Sequence, residues 1–359
     1  MTSTAKTIQY SGKQKLHDIV AFHGSGEDGV FYQESLVPFF LMRMTVKKDN
    51  PEASFFSIYT PETQIHVPSA AALKGRGFHS QHQHNCFEFT YVLEGDMYQL
   101  VEGKRYYYPT GSCCLMNRNT LHTEERSSDY TCIFLSVSPE FVRKLMNDGK
   151  PLLFPGEQAL YRNLIFEFFQ QNLEDSTKDR KDFIDFVPKI TQPEQVERVH
   201  QLFEKLQQTL IQPEYGASFR LLELLSKLIG ILGDPDCYSG EHVTAQSNME
   251  SLLFARINRI LSERRGRVTN AELSALLSYN GSYLGRIVKK YTGKSLFDYS
   301  MVFTMEYVSD QLLHTKKTAA QIASELQFTN LTHFYKLFKD HYGCTPKAYR
   351  SASRTLRSE

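Results

Sequence analysis

Two histidines and a glutamate lie close together in the segment His82-Gln-His84-Asn-Cys-Phe-Glu88 and could bind a metal or a polar ligand. His82 and His84 are two positions apart, so a β-strand would project both imidazoles from the same face. Glu88 falls on that face as well if the strand continues unbroken. Imidazole nitrogens and a carboxylate oxygen are typical ligands of zinc, iron and manganese.

A metal centre needs at least one further ligand, which leaves two hypotheses open. In the first, Cys114 completes a metal site with His82, His84 and Glu88. In the second, the same segment belongs to a pocket for an organic effector, together with His122 on a later loop, Tyr91 and Tyr98. Two histidines on a strand are a weak metal signal without a matching third ligand, so we favour the second hypothesis and expect no metal and no cofactor.

Short β-strands must position these side chains. Between about Phe55 and Val137, short runs of Tyr, Phe, Val and Thr alternate with Gly, Pro and Asn turns. This spacing predicts a small antiparallel barrel or sandwich. Five tyrosines on these runs have aromatic faces suited to sugar or aromatic ligands, although strand alternation turns half of them elsewhere. They are Tyr91, Tyr98, Tyr106, Tyr107 and Tyr108.

The middle of the chain has a helical pattern. From Pro139 onward, apolar residues recur three and four positions apart, which predicts amphipathic helices. A leucine-rich stripe from Leu221 to Ile229 has two open interpretations, a seam between two subunits or packing within the chain. The stretch from Gly233 to Asn248 interrupts the pattern and predicts an interdomain linker.

The last third of the chain repeats itself. The segment starting at Tyr283 resembles the one starting at His333, and pairs such as Gly293 and Gly343 share an offset of about 50 positions. Each copy predicts a short helix (Ala271 to Leu277, then Ala319 to Leu326), a polar turn and a second helix with outward cations. This is the pattern of two helix-turn-helix units.

The second helix of each predicted unit has one apolar face for packing and one face that could meet the major groove of DNA. Arg286 could bind guanine O6 and N7 with both arms of its guanidinium. The other outward residues could contact base edges or phosphates. The predicted DNA-binding residues are Ser282, Tyr283, Arg286, Lys289, Thr332, His333, Tyr335, Lys336 and Lys339.

Charge and composition narrow the functional class. The whole chain has 41 Lys and Arg against 40 Asp and Glu, but 17 of the cations and only 9 of the acids lie from Glu250 onward. The C-terminal part therefore carries about +8, which favours a polyanionic partner. No run reaches the ~18 apolar residues of a membrane span, and the six cysteines show no CxxC spacing, so we expect a cytoplasmic protein with reduced thiols.

The segment from about Ile257 to Tyr349 resembles the DNA-binding domain of AraC/XylS-family transcription regulators. Its most specific part, Ile322 to Arg350, is similar to the family signature nearly throughout. The second copy departs from the family pattern at Lys336, where Arg is usual.

The first copy departs from the family pattern more often. Ser274 stands where the family usually has Ala, Val288 where it has Phe, and Thr304 where it has Arg. Gly285 has no side chain with which to contact a base. The resemblance still implies two helix-turn-helix units that bind DNA.

The segment from His82 to Gly95 resembles the first motif of the cupin superfamily, in which two histidines and a glutamate can hold a divalent metal. The segment from Gly103 to Gly111, with Pro109, resembles the second motif. In this alignment Cys114 stands where the third metal histidine would be. The resemblance to AraC-type regulators implies instead a barrel that holds an organic effector.

Together these features predict an α+β, multidomain transcription regulator. The predicted parts are an N-terminal segment with a cupin-like antiparallel β-barrel (1–137, barrel core about 55–137), a helical dimerisation or signal-transfer region (138–232), a linker (233–249), and an all-α domain with two helix-turn-helix units (250–359). We expect a homodimeric activator without catalytic activity that binds double-stranded DNA, contacts RNA polymerase and responds to a small effector such as a carbohydrate. Two alternatives stay open, a metal-dependent cupin enzyme fused to a DNA-binding tail and a ligand-independent DNA-binding protein.

Overall fold

A computed structural model describes residues 9–12, 15–23, 30–69, 81–148, 163–173, 180–189, 193–244 and 249–355. The chain divides into two compact units, residues 1–255 and 256–359. The first unit holds all the strands described, and the second is helical. No helix in the described ranges is both long enough and apolar enough to cross a membrane.

In its described ranges the first unit has fourteen strands, five complete helices and one short 3-10 turn at Pro51–Ala53. The strands are β1 (Gln9–Gly12), β2 (Val20–His23), β3 (Phe31–Ser35), β4 (Phe39–Val46), β5 (Phe55–Tyr59), β6 (Thr63–Val67), β7 (His82–His84), β8 (Phe87–Val101), β9 (Lys104–Pro109), β10 (Cys113–Met116), β11 (His122–Glu124), β12 (Tyr130–Val137), β13 (Asp182–Pro188) and β14 (Tyr238–Thr244). The helices are α1 (Leu16–Ile19), α2 (Pro139–Asp148), α3 (Leu164–Leu173), α4 (Pro193–Ile211) and α5 (Ala217–Leu232).

The strands form one connected sheet in the order β1-β6-β5-β4-β12-β8-β11-β7-β3-β2. Strand β8 is the organising element, because it also pairs with β9 and β10, and β10 continues the sheet to β13 and β14. All described pairings are antiparallel except that of β3 with β7. This half-barrel and the helical second unit confirm the predicted fold class.

Two glycines on β8 and beside it allow sharp changes of direction. Glu102 and Gly103, with φ of 48° and 81°, form the two-residue turn between β8 and β9. Two positive φ angles are the geometry that suits a tight hairpin. Gly95 (φ 79°) lies opposite Tyr130 of β12, next to the register shift between Glu94 and Val92, and a Cβ there would lie 2.2 Å from the Asp129 carbonyl oxygen. Only glycine fits at this position.

Alternation along β8 separates two hydrophobic cores. Phe87, Phe89 and Tyr91 belong to a core shared with helices α2 to α5. Val92 and Met97 belong to the second core, which lies among the strands. The helices therefore cover one face of the sheet, and the other face forms the inside of the half-barrel.

The structure corrects the predicted boundaries of the barrel. Strand β4 pairs with β12 along its whole length, so the sheet starts well before residue 55. Strand β13 lies within the segment predicted to be helical, and β14 lies within the segment predicted to be a linker. Strand β13 pairs with β10, which is distant in sequence, and β14 pairs with β13, and such long-range pairing leaves little local signal.

The leucine-rich stripe lies on α5, as predicted. Leu224, Leu225, Leu228 and Ile229 are buried in the core between the helices and the sheet. These four side chains therefore pack within the chain, which is the second of the two interpretations. The homodimer stays a prediction.

The helices of the second unit repeat with nearly constant spacing. Helix α6 (Met249–Glu263) contains the division between the two units and leads to the repeat. The following helices are α7 (Asn270–Leu277), α8 (Gly281–Thr292), α9 (Leu296–His314), α10 (Ala319–Glu325), α11 (Leu331–Tyr342) and α12 (Pro346–Thr355). The pairs α7 with α8 and α10 with α11 are the two predicted helix-turn-helix units.

The caps of these helices explain why the two copies have the same geometry. Asn280 and Asn330 cap the N-termini of α8 and α11 through their side-chain oxygens. Gly293 and Gly343 end the same helices in the left-handed conformation, with φ of 70° and 72°. These are the residue types that favour helix starts and ends, so local sequence fixes both helix lengths at 12 residues.

Helix α9 connects the two helix-turn-helix units and supplies much of the hydrophobic core beneath the second helix-turn-helix unit. Its residues Met305, Val308 and Leu312 pack with Phe334 and Phe338 of α11. Near its start the backbone of α9 lies close to the turn between α6 and α7, because a Cβ on Gly266 (φ 71°) would lie 2.0 Å from the Ser300 carbonyl oxygen. Glycine is therefore required at the turn.

Candidate effector site and DNA interface

The outward faces of α8 and α11 form the candidate DNA interface. On α8, Leu284, Ile287 and Val288 are buried, and on α11 Phe334 and Phe338 are buried, as the predicted packing faces require. The cations on the opposite faces are exposed. They are Arg286, Lys289 and Lys290 on α8 and Lys336 and Lys339 on α11.

The two helices differ in the side chains that they present. On α8 the Arg286 guanidinium lies 5.0 Å from the centre of the Tyr283 ring, and Gly285 has open space where a side chain would stand. On α11 the equivalent positions are Lys336 and Tyr335, the latter 40% exposed. The remaining predicted contacts are exposed, namely Ser282, Lys289, Thr332, His333 and Lys339. Their contact with DNA stays a prediction.

A cluster of buried polar side chains forms the candidate site in the half-barrel. His84 ends β7, Glu88 lies on β8 and His122 begins β11. Glu88 Oε1 lies 3.7 Å from His84 Nε2 and 3.5 Å from His122 Nε2. One ligand atom from each residue lies within 4.8 Å of the others, so the cluster could hold a metal ion.

Hydrogen bonds to the backbone orient both imidazoles of this cluster. His84 Nδ1 lies 2.9 Å from the Cys86 carbonyl oxygen, and His122 Nδ1 lies 3.0 Å from that of Thr120. A carbonyl only accepts, so each Nδ1 carries the proton and each Nε2 points towards Glu88. The backbone amide of Asn119 (φ 62°) donates to the His84 carbonyl at 2.9 Å, which joins the loop before β11 to β7.

The electrostatics of the cluster favour positive charge. Burial raises the pKa of Glu88, but His84 and His122 outweigh burial and hold it below its ordinary range. Burial lowers the pKa of His84, but Cys86 and Glu88 raise it by more, so it stands well above the ordinary value. The site therefore stabilises a cation beside the carboxylate.

A cavity adjoins the cluster on the inner face of the half-barrel. His82 lines it and packs against His122, with ring centres 4.2 Å apart and the rings tilted by 55°. Glu88 and Glu124 also line it, and Gln99 Nε2 donates to Glu124 at 3.1 Å. Most of the remaining wall is apolar, formed by Phe22, Phe40, Met42, Met44, Ile58 and Phe134.

Sequence reasoning missed most of this wall. Phe22, Phe40, Met42 and Met44 come from strands before residue 55, where no barrel was predicted. The dense apolar run over 39–46 was the available signal, since short apolar runs are typical of buried strands. Glu124 was also missed, although it lies two positions after His122 on a strand and so shares its face.

Two tyrosines predicted to bind the effector lie elsewhere. Tyr91 faces the helices, where its ring stacks on Phe203 at 4.8 Å between centres. Tyr98 lies under the Arg105 guanidinium, 3.8 Å from its ring centre, and Arg105 pairs with Glu125 at the surface. Neither ring lines the cavity, so both are removed from the candidate site.

Cys114 is likewise not part of the cluster. It lies on β10 opposite Thr90 and Asp185, and its thiol interacts with Asp185 and Tyr108. The Tyr108 hydroxyl donates to Asp185 Oδ1 at 2.6 Å. Of the four residues in the metal hypothesis, His84 and Glu88 belong to the group with metal-ligand spacing, and His122 joins them in place of Cys114.

The Asp185 carboxyl has a testable effect on stability. Burial raises its pKa to about 6, above its ordinary value, so this group favours the folded state at low pH and loses that contribution as pH rises through about 6. We expect Asp185→Asn to stabilise the protein by about 1–3 kcal/mol at pH 7 and by much less at pH 4.5. Urea unfolding at both pH values measures this, with the exposed Asp236→Asn as control. An equal effect of Asp185→Asn at both values would contradict the assignment.

The two sites agree with two family models. The model described as an AraC-like ligand binding domain matches residues 67–229, and the one described as a helix-turn-helix domain matches residues 273–352. Together they cover more than half of the chain. The chain belongs to the AraC family, as an AraC-type DNA-binding regulator with an N-terminal ligand-binding domain.

Individual relatives are more distant. The chain is 28% identical over 106 residues to the uncharacterized HTH-type transcriptional regulator YobQ of Bacillus subtilis (strain 168), a match that spans 30% of this chain and 44% of that relative. It is similar to the C-terminal domain of the response regulator yesN from Fusobacterium nucleatum (32% identity, 26% of this chain, 94% of that chain, TM-score 0.25). It is also similar to unsaturated fatty acid bound ToxT from Vibrio cholerae (12% identity, 87% of this chain, 94% of that chain, TM-score 0.34).

Proposed function

We propose that this regulator is a one-component switch, in which a small effector occupies the cavity of the half-barrel and thereby changes the occupancy of promoter DNA by α8 and α11. The observation that carries the proposal is the presence of a lined cavity in one compact unit and two solvent-facing cationic helices in the other. No catalytic step is proposed. The activating role, the contact with RNA polymerase, the homodimer and the cytoplasmic location stay predictions.

The wall of the cavity favours a largely apolar effector with one polar end. Aromatic and aliphatic side chains form most of the wall, and His82, Glu88 and Glu124 supply polar groups on one side. A carbohydrate needs many hydrogen-bond partners, and the tyrosines expected to stack on it lie elsewhere, so we no longer propose a sugar.

The small size of the cavity suggests how occupancy could act on the rest of the protein. Its volume is about 40 Å³, which is room for a few water molecules. An effector of ordinary size must therefore displace wall side chains such as Phe40 and Phe134. Closely packed interiors transmit such displacements, so the wall supplies a route from effector to structure.

A selection of DNA duplexes from random sequence by the full chain tests the proposal. We expect Arg286→Ala to relax base preference at one position and to cost about 1–3 kcal/mol on the preferred duplex, with little effect on random DNA, since a guanidinium can satisfy both acceptors of guanine. Lys336→Ala is expected to weaken both kinds of binding about equally, as a phosphate contact would. Lys336→Arg is the matched variant and should leave the selected sequence unchanged.

The opposite pattern would reverse this assignment. If Arg286→Ala leaves the selected sequence intact and Lys336→Ala abolishes the preference, then α11 is the specific reader. If the wild-type chain selects no sequence at all, the proposed switch fails. If the wild-type chain does select a sequence, mapping the genomic sites that it occupies would nominate the effector through the pathway of the adjacent genes.

A further inference from the structure

We propose that the half-barrel binds one divalent transition-metal ion through His84 Nε2, Glu88 Oε1 and His122 Nε2, with an open coordination position on the side of the cavity. This inference goes beyond the proposed function and does not depend on it, because metal binding by these three side chains requires neither an effector nor DNA. It replaces the expectation that the chain holds no metal.

Three buried atoms of the cluster have no hydrogen-bond partner. They are the Nε2 atoms of His84 and His122 and Oε1 of Glu88. A buried polar group without a partner costs free energy, so three of them in contact need an explanation. Hydrogen bonding among them is not the explanation, because the separations of 3.5 and 3.7 Å are longer than hydrogen bonds.

These separations suit ligands around a shared ion. Ligand atoms about 2.1 Å from a tetrahedral ion lie about 3.4 Å apart. The observed 3.5 and 3.7 Å are within a few tenths of an ångström of that value. The two Nε2 atoms lie within 4.8 Å of each other, so an ion that bound all three atoms would draw the two imidazoles closer together.

The surroundings hold the ligands in the required orientation. Both imidazoles bond to backbone carbonyls through Nδ1, which directs the lone pair of Nε2 towards Glu88. Metal-binding histidines usually have such an outer partner on the second ring nitrogen. The Ser136 hydroxyl lies 3.5 Å from the second carboxylate oxygen of Glu88. Three different strands thus supply one ligand each, so a bound ion would join β7, β8 and β11.

The donor set indicates the class of metal. Two neutral imidazoles and one carboxylate suit Zn²⁺, Fe²⁺ or Co²⁺ better than Ca²⁺ or Mg²⁺, which prefer oxygen ligands. Three protein ligands leave at least one position for water or an anion. Glu88 lines the cavity, so the open position lies within reach of a molecule in it.

Metal reconstitution of the full chain tests the site. The protein is stripped with a chelator, dialysed, and titrated with Zn²⁺ or Co²⁺. We expect one equivalent of metal per chain by elemental analysis, visible absorption bands from bound Co²⁺, and a thermal midpoint that rises with metal concentration. Azide, as a probe anion, should shift the Co²⁺ bands by occupying the open position.

Two variants and a control make the test specific. Glu88→Gln and His122→Gln should each weaken metal binding by at least about 100-fold. Even the loss of a group that only hydrogen-bonds to a metal ligand lowers metal affinity by about 10- to 100-fold. His66→Gln, a change on β6 at a residue that bonds to Ser57, should bind like the wild type. The proposal is overturned if the reconstituted wild type holds less than about a tenth of an equivalent, or if both variants retain wild-type affinity. DNA selection is measured separately, so failure of the metal site leaves the proposed function standing.

Discussion

Raising the salt concentration from about 50 to about 200 mM is expected to weaken binding of the full chain to a selected DNA duplex by about 100- to 1000-fold. Each phosphate contact contributes a slope of about −0.9 to the dependence of log affinity on log salt. Five exposed cations on α8 and α11, here called the reader helices, would give a slope of about −4 to −5. They are Arg286, Lys289, Lys290, Lys336 and Lys339.

Single substitutions assign this slope to the reader helices. Lys339→Gln should reduce the slope by about one unit, because it removes one phosphate contact. Lys144→Gln, at an exposed position on α2 in the first unit, should leave the slope unchanged. Fluorescence anisotropy at four or more salt concentrations measures both. A wild-type slope close to zero would show that these cations do not face phosphates.

Loss of the buried cation Lys181 is expected to destabilise the first unit by about 3–5 kcal/mol. Lys181 Nζ lies 2.7 Å from Glu102 Oε1, and the two side chains are only 0% and 7% exposed. Glu102 Oε1 also accepts the backbone amide of Leu121 at 2.7 Å. Lys181→Met therefore removes the cation that lies beside a buried carboxylate, which is the costly way to break such a pair. Urea unfolding measures the change.

A double-mutant cycle separates the pair from simple loss of packing. Lys181→Met combined with Glu102→Gln should recover most of the stability, because no buried charge remains and Gln can still accept from Leu121. The exposed pair Lys47 and Asp129 serves as control, and Lys47→Met should cost less than about 1 kcal/mol. Additive effects of the two changes at Lys181 and Glu102 would contradict the assigned interaction.

The helical repeat could be predicted from sequence because its signals are local. Caps such as Asn280 and Gly293 lie next to the helices that they limit, and the second copy repeats them at Asn330 and Gly343. The turns are equally local, with Ser278 and Gln327 both at positive φ. A local pattern that occurs twice gives two independent observations of the same structure.

The barrel was harder to predict because its pairings are long-range. Cys113 on β10 pairs with Phe186 on β13, a partner more than seventy positions away, and no local pattern specifies such a register. The cluster contains His122 and not Cys114 for the same reason, because it too is formed by long-range strand pairing. The loop around Asn119 brings His122 back to β7, and the spacing along the chain does not reveal that return.

Strand alternation alone is enough to exclude Tyr91 from the cavity. Glu88 and Tyr91 are three positions apart on one strand, so alternation places them on opposite faces. Phe87 and Phe89 share the face of Tyr91, and both lie in the core beneath the helices. Consistent use of alternation from Glu88 would therefore have excluded Tyr91 from the cavity.

The inequality of the two reader helices has a consequence for the DNA. Gly285 and Arg286 on α8 correspond to Tyr335 and Lys336 on α11, so one chain presents two different surfaces in a fixed order. Because α8 and α11 present different side chains, the two identical halves of a palindromic DNA site would not fit both helices equally well. We therefore expect the site of a single chain to have a left and a right end, so that each bound chain points along the chromosome in one direction.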